Sequence, residues 1–414
     1  MSHINKRVPK RRFEEFNNTD DWEQRKLGEI ANSFEYGLNA SSKTYDGENK
    51  YIRITDIDES SHVFNHDNLT SPDISLDNLN HYLLEEGDIL LARTGASTGK
   101  SYCYNKIDGK VFFAGFLIRA KIKHEYNVSF IFQSTLTERY NNFIQVTSQR
   151  SGQPGINAQE YARFALYIPK LKEQQKIGDF FKQLDNTITL HQRKLEKIKA
   201  LKTAYLSEMF PAEGETEPKR RFAGFTDDWD QRKLGELAKI VRGASPRPIQ
   251  DPKWFDNNSE VGWLRISDVT AQDGRINYLE QRISEAGQGK TKVLKEPHLL
   301  LSIAATVGKP VINYVKTGVH DGFLIFLDIK FEQEFLFQWL EMFRTSWQKY
   351  GQPGSQINLN SELVRNQEIS IPSMNEQIKI SKLFQQLDNA ITLHQRKLQK
   401  LQNIKKAYLN EMFI

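Results

Sequence analysis

This chain is written twice. The segment DDWEQRKLGEIA (Asp20 to Ala31) returns as DDWDQRKLGELA (Asp227 to Ala238), with ten of twelve residues identical. RRFEEF at Arg11 returns as RRFAGF at Arg220, YIRITDI (Tyr51 to Ile57) as WLRISDV (Trp263 to Val269), and SGQPGIN (Ser151 to Asn157) as YGQPGSQIN (Tyr350 to Asn358). The order is the same in both halves, so the basic N-terminus belongs to the repeat. A duplication of this kind restricts the fold to two copies of one plan, because every landmark must find equivalent surroundings twice. The best-kept pair lies at the ends of the halves: Pro169 to Phe210 aligns with Pro372 to Phe413 without a gap, and 26 of 42 positions are identical. Between the landmarks the halves diverge, as Asn39 to Gly47 against Ala244 to Ser259 illustrates. Each half is therefore a variable globular part followed by a constant segment.

The constant segments read as helices. Ile177, Phe181, Leu184, Ile188, Leu195, Ile198, Tyr205 and Met209 recur at alternating spacings of four and three, with His191 and Lys202 completing a seam of period 3.5. The second copy repeats the seam through Ile380, Phe384, Leu387, Ile391, His394, Leu398, Leu401, Lys405, Tyr408 and Met412. Neither stretch contains an internal proline, and Pro169 and Pro372 stand just before the starts. About 35 residues at about 1.5 Å each give rods of roughly 50 Å. PAEGETEPK (Pro211 to Lys219) reads as a linker. The globular parts read as mixed α/β, with strand-like runs at KYIRITDI, Gly87 to Ala92, Lys110 to Ile122 and Phe164 to Pro169. A helix is expected over Ser129 to Phe143, matched by Glu332 to Tyr350. The expected divisions are 1–168 and 220–371 for the globular domains, 169–210 and 372–414 for the helices, and 211–219 for the linker.

Composition excludes several classes. At 38% apolar residues the chain is a folded protein, and its single cysteine, Cys103, allows neither an internal disulfide nor a zinc site. No run approaches 18 apolar residues, and MSHINKRVPKRRF lacks the apolar stretch of a signal peptide, so a soluble, cytoplasmic protein without a membrane partner is expected. A net charge of +5 permits a polyanionic partner. The string ILLARTGASTGKS (Ile89 to Ser101) invites comparison with a phosphate loop, but it has three residues between its glycines where that loop needs four. The second half has Pro310 where the magnesium-binding hydroxyl would stand. No methylation, helicase or nuclease motif is found, and neither a cofactor nor a catalytic residue is expected.

Two variable domains, each opened by DDWxQRKLGE, closed by GQPG and followed by a helix carrying LDNxITLHQRKL and ending AYLxEMF, resemble the specificity subunits of Type I restriction-modification systems. The resemblance covers nearly the whole chain. It implies an α+β protein with two mixed α/β target recognition domains in tandem, each followed by a long helix, the two helices pairing as an antiparallel coiled coil. It also implies that each domain reads one half of a split sequence in double-stranded DNA, while catalysis belongs to partners: two modification (methyltransferase) subunits that methylate adenine, and ATP-dependent restriction subunits. Two other classes stay open on the residues alone, a nucleotide-dependent enzyme built on the ARTGASTGK loop and a coiled-coil scaffold with two protein-binding domains.

Comparing the halves sorts candidate residues. Positions that agree should belong to the scaffold, and positions that differ should read bases. Arg53 and Asp56 match Arg265 and Asp268, as expected of a structural pair or a shared backbone contact. Candidate DNA contacts are Asn39, Ser41 and Lys43; Arg93, Thr94, Ser97 and Lys100; and, around GQPG, Gln149, Arg150, Gln153 and Asn157. Their second-half counterparts are Arg242, Ser245 and Arg247; Ser302, Thr306 and Lys309; and Gln352, Ser355, Gln356 and Asn358. Arg and Lys suit guanine edges, Asn and Gln suit adenine edges, and all of them suit phosphate. His191 and His394 occupy the helix seams, where a polar residue sets register. Arg193, Lys194 and Lys197 form a basic helix face, open to solvent or to a partner.

Overall fold

The computed structural model describes residues 7–149, 153–350 and 359–414, the side chains at 348 and 350 excepted. The chain divides into two compact units. The first takes residues 1–194 and 394–414, the second 195–393. Each unit is thus one globular part together with a stretch of both long helices, Leu171–Met209 and Met374–Met412.

The first unit is built on a four-stranded antiparallel sheet in the order Ala31–Tyr36, Leu117–Ile122, Asp88–Ala92, Ser101–Cys103. The second repeats it as Lys239–Arg242, Phe323–Leu327, Leu299–Ser302, Pro310–Asn313, and adds Arg275–Ile276 in parallel at the edge. Asp88–Ala92 and Leu299–Ser302 are buried along their whole length, as expected of central strands covered on both faces. The repeated QRK forms a short strand in each unit, Glu23–Lys26 against Ala165–Ile168 and Asp230–Lys233 against Glu368–Ile371. Leu27 and Ile30, and likewise Leu234 and Leu237, then turn inward from one helical turn.

Two expected elements are divided. The helix over Ser129 to Phe143 is two helices, Val128–Ser134 and Glu138–Thr147. The Thr135 hydroxyl donates back to Phe132 O, and the Thr137 hydroxyl caps the second helix by accepting from Tyr140 N–H. Side-chain oxygens of this kind offer the backbone a competing partner and end a helix. Its counterpart is helical over Gln333–Phe343 and tightens to a 3-10 turn over Arg344–Tyr350. The run Lys110 to Ile122 is likewise two strands, Val111–Phe113 and Leu117–Ile122, separated by a turn.

The RRF repeats lock the long helices in place. Arg12 makes a two-point contact with the buried Glu173 through Nε and Nη2, both 2.6 Å, and Arg221 does the same with Glu376 at 3.0 and 2.8 Å. The preceding arginines bind the other helix end: Arg11 pairs with Glu411 and lies over Tyr408, and Arg220 pairs with Glu208 and lies over Tyr205. The seam residues Ile177, Phe181, Ile188, Leu195, Ile380, Phe384 and Leu387 are buried. In the first unit Phe180 meets Tyr408, Asp185 pairs with Lys405 at 2.7 Å, and His191 Nδ1 lies 3.0 Å from His394 Nδ1. In the second, Lys202 pairs with Asp388 at 2.6 Å and Phe210 packs on Phe384. Within each unit, residue numbers rise along one helix segment as they fall along the other. No helix among the described residues is long and apolar enough to cross a membrane.

Candidate nucleic-acid interface

In the first unit a glycine hinge opens the surface. Strand Ala31–Tyr36 ends at Gly37, where a Cβ would lie 2.2 Å from Ala114 O, so no other residue fits. The chain then presents Asn39, Ser41 and Lys43, all exposed. Lys43 lies on a separate two-stranded ribbon, Ser42–Thr44 with Thr70–Pro72. The loop Arg93 to Lys100 and the GQPG segment are brought together: Gly95 N–H donates to Pro154 O, Ile156 N–H donates to Arg93 O, and Thr94 bridges to Gly155. Arg93 lays its guanidinium 4.8 Å from the Tyr36 ring centre, while its Nε has no hydrogen-bond partner among the described residues. Gln153 is exposed beside Gly95, and Thr94 and Ser97 are partly exposed on the same loop.

Two first-unit candidates are otherwise engaged. Lys100 has a side chain only 9% exposed; its ammonium binds Glu59 at 2.6 Å and Ile57 O at 3.1 Å, which tethers the loop from beneath. Asn157 caps helix Ala158–Ala162, its Oδ1 accepting from Glu160 N–H at 2.9 Å. Gln149 is exposed just after helix Glu138–Thr147. Arg150 lies outside the described residues, as do Gln352, Ser355, Gln356 and Asn358.

The second unit gathers Arg242, Ser245 and Arg247 around Asp321. Arg247 Nη2 donates to Asp321 Oδ2 at 2.7 Å, the Ser245 hydroxyl to Oδ1 at 2.8 Å, and Arg242 Nε to the Asp321 carbonyl at 2.6 Å. Partial burial opposes the charge on Asp321, but Ser245's hydrogen bond and the charges of Arg247 and Arg242 outweigh it, holding the carboxyl below its ordinary value. Burial also pushes the neighbouring His320 below the usual histidine value. Thr306 matches Ser97, since Lys309 N–H bonds Thr306 O as Lys100 N–H bonds Ser97 O. Lys309 is tethered by Asp273 and Glu341, both at 2.6 Å, as Lys100 is by Glu59. Ser302 does not reach the surface: it is fully buried, and its hydroxyl donates to Ala304 O and accepts from Thr306. It braces the loop from within.

Arg53 and Arg265 are structural, as the agreement of the halves suggests. Each closes its own helical turn, with Arg53 N–H, Nε and Nη2 on the Asp56 carboxylate at 2.8–2.9 Å and Arg265 on Asp268 at 2.9–3.1 Å. Among the described residues there is no group of three or more His, Cys, Asp or Glu side chains that could hold a metal ion.

The model of the Type I restriction modification DNA specificity domain matches residues 19–200 and again 226–403. The chain belongs to this family. It is a non-catalytic specificity subunit, the part of a Type I restriction-modification system that supplies DNA sequence specificity. It is 21% identical over 351 residues to the Type I restriction enzyme MjaVIII specificity subunit of Methanocaldococcus jannaschii, covering 79% of this chain and 78% of that one. To the putative MjaX specificity subunit of the same organism it is 22% identical, covering 94% of this chain and 92% of the other. Its fold is similar to a crystal structure of the Type I S subunit from M. genitalium, with a TM-score of 0.66 at 14% identity over 98% of this chain and 99% of that one.

One surface feature of this specificity subunit escapes a residue-by-residue reading. Both halves contain the string GFLI, Gly115 to Ile118 and Gly322 to Ile325, yet the strings sit one residue out of register. Gly37 N–H bonds Leu117 O where Gly243 N–H bonds Phe323 O, and Arg93 N–H bonds Phe116 O where Ile303 N–H bonds Gly322 O. Leu117 is therefore the equivalent of Phe323, Phe116 of Gly322, and Gly115 of Asp321. The shift makes Phe323 the first residue of its strand, where it is buried, and leaves Phe116 in the turn before its strand, where it is 64% exposed. The signal available in the sequence was the hinge glycine pair Gly37 and Gly243, which sets the frame from which the shift can be counted.

Proposed function

We propose that this subunit reads a two-part target in double-stranded DNA, one half-site per globular domain, and directs partner subunits to it. The observation that carries the reading is a scaffold repeated closely around surfaces that are not. The hinge glycines, the Arg53–Asp56 and Arg265–Asp268 turns and the tethered Lys100 and Lys309 recur, whereas the positions of Arg93, Gly115 and Phe116 are held in the other copy by Ile303, Asp321 and Gly322. Two readers of different bases on one frame require this division between fixed and variable positions. The interface comprises Asn39, Ser41, Lys43, Arg93, Thr94, Ser97, Gln149 and Gln153 in the first domain (1–168), and Arg242, Ser245, Arg247 and Thr306 in the second (220–371). Lys100, Lys309, Asn157 and Ser302 support it.

The helices, 169–210 and 372–414 on either side of the linker 211–219, pair as an antiparallel coiled coil and set the distance between half-sites. The opposed order of contacts within each unit and the buried seams support this. A helix of 39 residues is about 58 Å long, against about 34 Å for one turn of DNA. Leu190 and Leu393, at equivalent places in the repeated ITLHQRKL, are both about half exposed. Identical apolar residues kept on the surface in both copies fit two copies of one partner, the modification (methyltransferase) subunit, with restriction subunits joining that assembly.

The test is to express the chain with its modification subunit and map methylated adenines across the host genome. Two short read segments separated by an unread spacer are expected. A single contiguous site, or no methylation above that of the subunit alone, would contradict the reading. Adding four residues near Leu206 should lengthen the spacer without changing the bases read.

A further inference from the structure

Phe116 is a large aromatic side chain that the scaffold does not need. Its backbone is fixed on three sides: Gly115 N–H bonds Leu38 O at 2.9 Å, Leu117 N–H bonds Ala114 O at 2.9 Å, and Phe116 O accepts from Arg93 N–H at 3.0 Å. Leu117 and Ile118, the next residues of the strand, have no exposed surface. The exposure of Phe116 is therefore not looseness at a frayed end. The second unit builds the same turn with Gly322 in its place, so the fold does not require the ring. Its carbonyl holds Arg93, whose guanidinium lies on the half-exposed Tyr36, and Gln153 stands beside Gly95, two residues further along that loop.

We propose that Phe116 reads a thymine in the first domain's half-site by packing on its 5-methyl group in the major groove, an inference that rests on the DNA-reading function above. Long donors grouped with one rigid apolar projection match the major groove, where donor and acceptor edges and the thymine methyl are displayed together. The minor groove shows neither the methyl nor a pattern that Arg93 and Gln153 could separate beyond A·T from G·C. The second domain has no such contact, since Gly322 offers no side chain and the adjoining Asp321 offers a carboxylate.

The experiment uses the subunit in complex with its modification subunit and duplexes carrying the methylation-mapped target, with each thymine replaced singly by deoxyuracil, which lacks only the methyl. Wild type should bind about fourfold more weakly when one particular thymine is replaced, the effect of one buried methyl-sized group. Phe116→Ala should erase the difference at that position alone, and Phe116→Leu should keep part of it. Two results would overturn the proposal while leaving the DNA-reading function intact: no thymine whose replacement wild type senses and Phe116→Ala does not, or equal weakening of thymine and uracil duplexes by Phe116→Ala. Failure of the wild-type complex to prefer the mapped target over a scrambled duplex would overturn the reading itself, and this proposal with it.

Discussion

The two units hold their helix segments with the same polar centre, differently completed. In the second, Asp388 accepts from Lys202, Gln338 and Arg275, and Arg275 also makes a two-point contact with the buried Glu334 and lies 4.3 Å from the centre of the Phe337 ring. In the first, Asp185 accepts from Lys405 and Gln133, both at 2.7 Å, in the same arrangement. There Ser129 stands where Glu334 would be, and His62 meets Phe132 where Arg275 lies on Phe337. A cavity of about 240 Å³ lies beside His62 and Asp185, lined also by Ile188 and Lys405. The arginine and the glutamate are thus present together or absent together. A buried charge is tolerated with its partner and costly without it, so the scaffold accepts the loss of the pair where it would not accept the loss of one member.

The sharpest way to break this comparison is Arg275→Ala, which leaves Glu334 without its counterion and should destabilise the chain by about 3–5 kcal/mol in urea titration. Replacing both, Arg275→Met with Glu334→Leu, should recover most of that loss, as the first unit's design implies. A double variant no more stable than the single one would show that charge compensation is not what Arg275 provides. Of similar size is the effect of the aromatic closing each helix. Phe210→Ala should cost about 3–5 kcal/mol because its ring is buried among Phe335 and Phe384, and the partly exposed equivalent, Phe413→Ala, should cost less in the same titration. Equal costs would mean that the units close alike.

Acid should distinguish the His62 site from the Arg275 site. Burial, reinforced by the charge of Lys405, pushes His62 below its ordinary value, whereas its counterpart Arg275 stays charged: burial pulls it down, but Glu334 and Asp388 overcome that and raise it. A histidine with a lowered folded value binds protons more readily unfolded, so its contribution is complete above the unfolded value of about 6.5 and is lost as pH falls below it. The urea midpoint should therefore drop between pH 7.5 and 5.5, and drop less in His62→Gln; an unchanged pH profile in that variant would remove His62 from the account. The smallest effect expected is the shared one: Arg53→Ala and Arg265→Ala remove arginines about one-third exposed from carboxylates that keep the backbone N–H bond of the turn, and should each cost about 1 kcal/mol, equally in the two units.

The duplication, the two long helices and the Arg53–Asp56 pair were legible in the sequence because each is a local pattern stated twice. What was not legible depends on contacts across the fold. The hydroxyls of Thr135 and Thr137 turn one expected helix into two, and polar residues at such places read equally well as surface positions. Lys100 looked like a residue facing a polyanion, but Glu59 on a distant segment claims its charge. Ser302 resembled a loop hydroxyl and is the last residue of a buried strand. Phe116 was hidden inside an apolar run, because the GFLI strings invite an alignment that hydrogen-bond register contradicts by one residue.

The proposed function requires that the two domains read independently from one frame. It is tested most directly by replacing Asp227 to Ile371 with the corresponding segment of another specificity subunit and mapping methylated adenines in cells that also make the modification subunit. One half of the methylated sequence should change to the donor's while the other half, read by the first domain, remains. A change in both halves together, or in neither, would contradict it.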